Sequence, residues 1–190
     1  MAVNNVGTRP RRDGARRDLR AWAIAEVRAF GERPPSYFRC ADPSGTIRVT
    51  LRADDRMVDV DLDPDWRDRF GPEYFDTALL AAYRGALHDC RYVRGLVQLA
   101  AGNVGGSGAS SLEGRAGAAI DVAVAAAGES GPVPAGCADS VVRSPAGYLR
   151  LVRRGGSIRS AHADTRRIGA APAPLLCHDV LAVFQLALGA

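Results

Sequence analysis

The sequence predicts an α+β fold in which an α-β-β-β-α unit with a three-stranded antiparallel meander is followed by a degenerate second copy. Two segments predict the meander. Residues 47–51 and 58–62 alternate apolar and polar side chains, which is the period of a strand with one buried face. A third observation predicts the copy, because residues 42–52 align with residues 144–154 without a gap.

The turns of the meander follow from local residue types. Residues 36–41 are predicted as the first strand, because their aromatic side chains favour a pleated surface. Pro43 presets φ and Gly45 tolerates a positive φ, which predicts a turn before the second strand. The polar residues 53–56 are predicted as the turn to the third strand.

Helices are predicted on both sides of the meander. Apolar residues recur at helical spacing in residues 13–31, and two prolines then end the helix. A second helical region opens at Asp63, a predicted N-cap, with Pro64 in its first turn. The main helix is predicted over residues 73–100, where apolar residues form a stripe. The aromatic residues predicted in the core are Trp22, Phe30, Tyr74, Phe75 and Tyr83, and those predicted at the surface are Trp66 and Tyr148.

The chain therefore divides into four predicted segments. Residues 1–11 are a disordered basic arm, 12–101 the first α-β-β-β-α domain, 102–111 a Gly/Ser linker, and 112–190 the degenerate second unit. Within the second unit, residues 112–128 are predicted as a helix, 139–143, 148–153 and 157–163 as strands, and 175–188 as a closing helix.

Length and composition exclude several classes of protein. The 190 residues allow one medium domain or two small ones, and 47% hydrophobic residues suffice for a core. No apolar run reaches the roughly 18 to 20 residues of a membrane span, and no apolar segment follows the N-terminal arginines as in a secretory signal. The four cysteines lie far apart without a CxxC pair, which predicts reduced thiols in a cytoplasmic protein.

Arginine dominates the charge. The chain has no lysine, so all 25 basic residues are arginine, and the net charge is +4. The codons of a GC-rich genome explain this composition, and so does phosphate binding, since the guanidinium fork suits phosphate oxygens. The distribution is more informative, because both ends of the chain are basic whereas residues 54–76 are acidic.

The two halves share a motif. DPSGTIRVTLR (residues 42–52) matches SPAGYLRLVRR (residues 144–154), with the same order of helix, strands and helix around it, which predicts a degenerate tandem repeat. A helix, a Pro-x-Gly turn, a valine-type strand, a strand ending D-x-x-L-D-P and a long Ala-rich helix resemble the YbaB/EbfC family of nucleoid-associated proteins. The resemblance covers residues 13–100. The residues that carry it are Asp42, Gly45, Val49, Val58, Val60, Leu62, Asp63, Pro64 and residues 76–87 (DTALLAAYRGAL).

Members of that family are small dimeric proteins that bind DNA with little sequence preference, and actinobacterial relatives occur near type VII secretion systems. The resemblance implies a cytoplasmic, nucleoid-associated protein whose partner is double-stranded DNA, with neither a membrane nor a small-molecule substrate. Contacts to phosphate rather than to base edges are expected. The predicted DNA-binding residues are Arg9, Arg11, Arg12, Arg16, Arg17, Arg20, Arg153 and Arg154.

An alternative is a non-enzymatic protein-interaction module, such as a secretion-associated or chaperone-like relative that has lost DNA binding. The acidic middle of the chain, which would repel phosphate, and the net charge of only +4 favour this alternative. One continuous positive face in the folded protein would favour DNA binding, whereas scattered arginines would favour the interaction module.

No motif predicts an enzyme, a metal site or a cofactor. The D-x-D-x-D-x-D pattern of residues 59–65 lacks the glycine and glutamate that a calcium loop needs at its sixth and twelfth positions. The histidines and cysteines stand in separate regions and would have to converge to bind a metal. The only G-S-G sequence lies in the predicted linker, without the strand-to-helix turn of a nucleophilic serine.

Two modes of assembly follow from the predicted repeat. A single unit is small and buries a limited fraction of its apolar surface. The linker raises the effective concentration of the second unit at the first. The sequence therefore predicts either an intramolecular pseudo-dimer, with the two copies related by an approximate two-fold axis, or an ordinary homodimer.

Overall fold

The computed structural model describes residues 12–31, 33–101 and 138–189, with side chains from residue 20 onward. The predicted arm, linker and helix 112–128 lie outside the described residues. In chain order the elements are α1 (Arg12–Ala29), β1 (Tyr37–Ala41), β2 (Ile47–Arg52), β3 (Met57–Leu62), α2 (Trp66–Phe70), a 3₁₀ turn (Pro72–Tyr74), α3 (Phe75–Ala100), β4 (Ser140–Arg143), β5 (Leu149–Arg154), β6 (Ser157–Ala163), α4 (Thr165–Ala170) and α5 (Ala173–Leu188).

Residue contacts divide the described chain into two units, of which the first contains residues 12–34 and 93–101. In this unit Ala23, Val93 and Leu96 are buried, and Arg20 Nε donates a hydrogen bond to the carbonyl of Ala100 at 3.2 Å. The core positions predicted for Trp22 and Phe30 are wrong, since their exposed fractions are 41% and 37%. Only a narrow stripe of α1 is covered in this unit, so Trp22 and Phe30, at the edges of its apolar stripe, stay exposed.

The second unit contains residues 35–92 and 138–189, and its first sheet has the strand order β1-β2-β3. The predicted meander is confirmed, with all neighbours antiparallel. The register shifts between Thr50 and Leu51, so Leu51 faces Met57 and Val58 becomes an extra residue in β3. The alternation predicted to bury Val58 is therefore wrong at that residue, which is 37% exposed, because a β-bulge interrupts the period of two.

The second sheet, β4-β5-β6, has the same strand order and the same irregularity. Its register shifts between Val152 and Arg153, so Arg153 faces Ile158. The turns before β2 and β5 also agree. Gly45 has φ 71° and donates its N–H to the carbonyl of Asp42, and Gly147 has φ 73° and donates to the carbonyl of Ser144. The chain is thus an α+β protein with two three-stranded antiparallel sheets and helices.

The helices depart from the sequence prediction in two places. The N-cap of α2 is Asp65 rather than Asp63, because the Asp63 carboxylate accepts the Asp65 N–H at 2.9 Å and holds the turn before the helix. The short α4 was not predicted. Its N-cap is Asp164, whose side chain accepts the Arg167 N–H at 3.2 Å.

The two sheets share one hydrophobic core with α5 and with the part of α3 up to residue 92. The helices bury matching positions: Phe75, Leu79, Ala82, Tyr83 and Ala86 of α3, and Leu176, Val180, Val183, Phe184 and Ala187 of α5. Tyr83 packs against Phe184 with ring centroids 4.9 Å apart. The predicted core position of Phe75 and Tyr83 is confirmed, whereas Tyr74 is 59% exposed.

Trp66 differs most from its prediction. It is fully buried, because it packs against Phe70 and Phe75 with centroid distances of 5.7 and 5.1 Å. The guanidinium of Arg67 lies 4.8 Å from its ring centroid and donates to the carbonyl of Gly169 at 2.9 Å, so the start of α2 is bound to the end of α4. The indole N–H of Trp66 has no hydrogen-bond partner among the described residues.

Contacts between the sequence halves run in both directions. The α5 helix packs on β3 of the first sheet. In the other direction, Arg84 of α3 donates from Nη2 to the carbonyl of Arg159 in β6 at 3.0 Å. No helix within the described ranges combines the length and the apolar character needed to cross a membrane.

Candidate nucleic-acid interface

The predicted arginine cluster at the N-terminus is only partly within the described chain. Arg9 and Arg11 lie outside it. Arg12, Arg16 and Arg17 belong to the α1 backbone, and their side chains lie outside the described part.

The other three predicted arginines are exposed or half-buried, and each guanidinium has a partner within the protein. Arg20 donates to the Ala100 carbonyl, and Arg153 donates from Nη1 to the Ala187 carbonyl at 2.7 Å. Arg154 forms a two-pronged ion pair with Asp139, with Nη2 and Oδ2 3.0 Å apart. A phosphate would have to compete with these contacts.

The outer face of the first sheet carries arginines that are paired with the acidic residues of β3. Arg39 Nη2 lies 3.7 Å from Asp59 Oδ2, and Arg48 Nη1 lies 2.9 Å from Asp61 Oδ2. These pairs follow from the register, because Thr50 faces Asp59 and Arg48 faces Asp61 across the β2–β3 ladder. On this face, Arg and Asp side chains therefore compensate each other.

The same compensation continues at both ends of β3. At one end, Arg69 Nη2 lies 3.2 Å from Asp63 Oδ2. At the other, Arg52 hydrogen-bonds Asp54, and this contact lowers the pKa of Asp54 to about 2, with the nearby Arg56 acting in the same direction. Four aspartates of the acidic middle, Asp54, Asp59, Asp61 and Asp63, thus each lie beside an arginine in the folded protein.

The outer face of the second sheet lacks this compensation. Arg143 of β4 faces Arg150 of β5, and Arg150 faces His162 of β6, so three basic side chains form one row across the sheet. We call Arg143, Arg150 and His162 the basic row. All three are exposed, and neither arginine has an ion-pair or hydrogen-bond partner for its guanidinium among the described residues.

The turn between β4 and β5 fixes the position of the basic row. Ser144 Oγ accepts the Leu149 N–H at 2.9 Å, and the carboxylate of Asp179 in α5 accepts the Ala146 and Tyr148 N–H groups at 2.7 and 3.4 Å. Arg143 and Arg150 directly flank this hydrogen-bonded turn. Their backbones are therefore held in one register, while their side chains are free to contact a ligand.

Within the described ranges, no three or more His, Cys, Asp and Glu side chains come together as a metal site would require. Cys40 and Cys177 are free thiols. Burial, together with the charge of Asp89, raises the pKa of Cys40, and burial with the nearby Asp61 and Asp59 raises the pKa of Cys177. Both thiols are therefore less acidic than a free cysteine, which disfavours the reactive thiolate. The chemistry that the described surface best supports is electrostatic binding of an anion.

Sequence reasoning counted Arg143 and Arg150 in the basic C-terminal part and missed them as a site. The signal was present, because both residues are polar positions in strands of alternating pattern. Their exposure as unpaired neighbours depends on the strand register and on His162 standing where the first sheet has an aspartate.

No family model, curated protein or solved structure matches this chain.

Proposed function

We propose that the protein binds duplex DNA through phosphate contacts with little sequence preference, as a nucleoid-associated protein resembling the YbaB/EbfC family. The observation that carries this proposal is a pair of exposed arginines on the second sheet, Arg143 and Arg150, which have no acidic partner among the described residues. Arginine binds phosphate oxygens through its planar fork. Phosphate contacts carry no sequence information, which accounts for the weak preference.

The acidic middle of the chain is a weaker objection to DNA binding than its composition indicates. The aspartates of β3 are each paired with an arginine of β1 or β2, so they contribute little net negative potential. In the part of the chain that the structure describes, the unpaired charges on the outer faces of the two sheets are then the basic ones. This distribution supports a polyanionic partner.

We further propose that the two halves are copies of one α-β-β-β-α unit. The supporting observations are the shared strand order, the register shift at equivalent residues, and the matching glycines in the turns before β2 and β5. Each of the five buried residues of α3 in the shared core also has a buried counterpart in α5, and the sequence separation is the same in all five pairs. Sequence alone supplied the turn motif and the order of the predicted helices and strands.

An intramolecular pseudo-dimer is the assembly that these contacts support. In a two-fold interface the same residues meet from both sides, and a residue near the axis contacts its own counterpart. Tyr83 and Phe184 occupy equivalent positions in α3 and α5, and their rings are in contact. The ordinary homodimer is the competing assembly.

A protein-interaction module is the second candidate function. The observation that favours it is a pair of exposed leucines on α5, Leu175 and Leu186, with exposed fractions of 46% and 58%. They lie about three helical turns apart on one side of the helix, where a single protein partner could cover both. A protein partner for this side would not require the arginines.

A titration of the full chain with a random-sequence duplex at several salt concentrations tests the DNA proposal. Binding with a steep log–log salt slope supports it, and no binding at low salt contradicts it. Neutralising Arg11, Arg12, Arg16 and Arg17 together is expected to flatten the slope by about 0.9 for each phosphate that the protein then no longer neutralises. If binding persists with an unchanged slope, the N-terminal arginines do not bind the DNA.

A further inference from the structure

We propose that the outer face of the second sheet is the DNA-contacting face of the β-sheets, with the basic row along the phosphate backbone, and that the equivalent face of the first sheet takes no part. The proposal deepens the function proposed above and rests on it. The two sheets would then have divided their roles, one being compensated by internal ion pairs and the other left open to an external anion.

A position-by-position comparison of the two sheets carries the inference. Arg48 in β2 and Arg150 in β5 occupy equivalent positions, each facing the third strand of its own sheet. Opposite Arg48 stands Asp61, with Nη1 and Oδ2 2.9 Å apart, whereas opposite Arg150 stands His162. On the first strand, the position that holds Ala41 in one sheet holds a second arginine, Arg143, in the other.

An uncompensated row of this kind is unfavourable in the isolated protein. Like charges directly opposite each other on neighbouring strands destabilise a sheet. In the first sheet an aspartate, Asp61, stands at the position equivalent to His162 and compensates the charge of Arg48. An anion that binds across Arg143 and Arg150 would replace that missing carboxylate.

The geometry of the face favours a phosphate backbone as the anion. Neighbouring strands lie about 4.8 Å apart, so the three side chains of the row start from a line roughly 10 Å long. None of the strands β4, β5 and β6 contains Phe, Tyr or Trp, so the face offers no platform on which unpaired bases could stack. A duplex, which presents phosphates and keeps its bases stacked, fits such a face better than a single strand.

Paired neutralisation of the two sheets is the test. The variant Arg143→Gln/Arg150→Gln removes two charges from the second sheet, and Arg39→Gln/Arg48→Gln removes two from the first. Both variants change the net charge equally, so a general electrostatic effect would act on both alike. We expect the first variant to lower the log–log salt slope for a random duplex of about 20 base pairs by about 1.8, and the second to leave it unchanged.

The single variant His162→Asp supplies an independent measurement. It places a carboxylate opposite Arg150, as Asp61 stands opposite Arg48. Since the first sheet already accommodates this pair, the variant is expected to fold, which circular dichroism and thermal unfolding would verify. Its salt slope should fall by about 0.9, because Arg150 becomes engaged within the protein.

The outcomes separate the inference from the proposed function. If the unmodified chain does not bind the duplex, both are wrong. If it binds and the two double variants weaken binding equally, or the second-sheet variant and His162→Asp leave the slope unchanged, the face does not bind the duplex and only the inference is wrong. If polyglutamate of equal charge competes as well as unlabelled duplex, the face recognises acidic peptide and the DNA assignment is overturned.

Discussion

The carboxylates of Asp42 and Asp179 accept hydrogen bonds from equivalent backbone N–H groups in two different turns. Asp42 accepts those of Ser44 and Thr46 at 2.8 Å each, from within its own turn. Asp179 reaches the corresponding groups, Ala146 and Tyr148, from α5. The same donors are satisfied in both halves, in one case by a local side chain and in the other by a distant one.

This exchange predicts a rescue. Asp42→Ser gives the first turn the residue found at Ser144 and leaves two N–H groups without an acceptor, which is expected to cost about 1–3 kcal/mol of unfolding free energy. Ala78 occupies the position in α3 that Asp179 occupies in α5, so Ala78→Asp is expected to destabilise alone and to offset part of the loss when combined. Urea unfolding of the four proteins in the cycle measures the coupling. Simple additivity would argue against equivalence of the two helices.

Asp42 also predicts a pH dependence of stability. Burial alone would raise its pKa, but hydrogen bonds from the Ser44 side chain and from the N–H groups of Ile47, Ser44 and Thr46 outweigh burial and lower the pKa below 3.8. A carboxyl with a lowered folded pKa stabilises the protein above its unfolded pKa, and this contribution is lost as the pH falls through the folded value.

The comparison with Asp42→Asn isolates that contribution. Chemical unfolding from about pH 6 down to about pH 2 should give a free-energy difference between the two proteins that is constant at the upper end and shrinks below about pH 4, near the unfolded pKa of an aspartate. A difference that stays constant over the whole acidic range would contradict the assignment.

Gly85 is predicted to be required where α3 crosses β1. A Cβ atom at this residue would lie 2.4 Å from Cys40 Sγ, so Gly85→Ala should destabilise by about 1–3 kcal/mol through overpacking. Gly95 in the same helix has open space around it, and Gly95→Ala should instead stabilise by up to about 1 kcal/mol through helix propensity.

Thermal unfolding of the two glycine variants measures this difference. Adding Cys40→Ala to Gly85→Ala removes the clashing sulfur and should recover much of the loss. If the two glycine variants behave alike, close packing at Gly85 is not the cause.

The shared core predicts that the first half alone is incomplete. A fragment of residues 1–101 would expose side chains buried by α5, among them Leu62 and Tyr83. Sedimentation is expected to find the full chain monomeric and the fragment associated or aggregated, as a pseudo-dimer requires. A fragment that remains monomeric and stable would refute that assembly.

The sequence predicted both meanders and the long helices because their periodicity is local. It failed where neighbours decide the outcome. Val58 fits the alternation, but a β-bulge leaves it exposed. Trp66 belongs to a short polar helix, in which an exposed side chain is expected, but Phe75 and Arg67 pack against its ring. The basic row was missed for a similar reason, since the strand register places His162 rather than an aspartate opposite Arg150.

The contrast between the two tryptophans gives the protein its own optical probes. The chain has two tryptophans, Trp22 at 41% exposure in the first unit and Trp66 fully buried in the second. An indole in water emits at longer wavelength than one in an apolar core, and a soluble quencher reaches it more readily. The intrinsic fluorescence should therefore contain a red, easily quenched component from α1 and a blue, protected component from α2. During denaturation these two components would report separately on the two units and show whether the first and the second unit unfold together or in sequence.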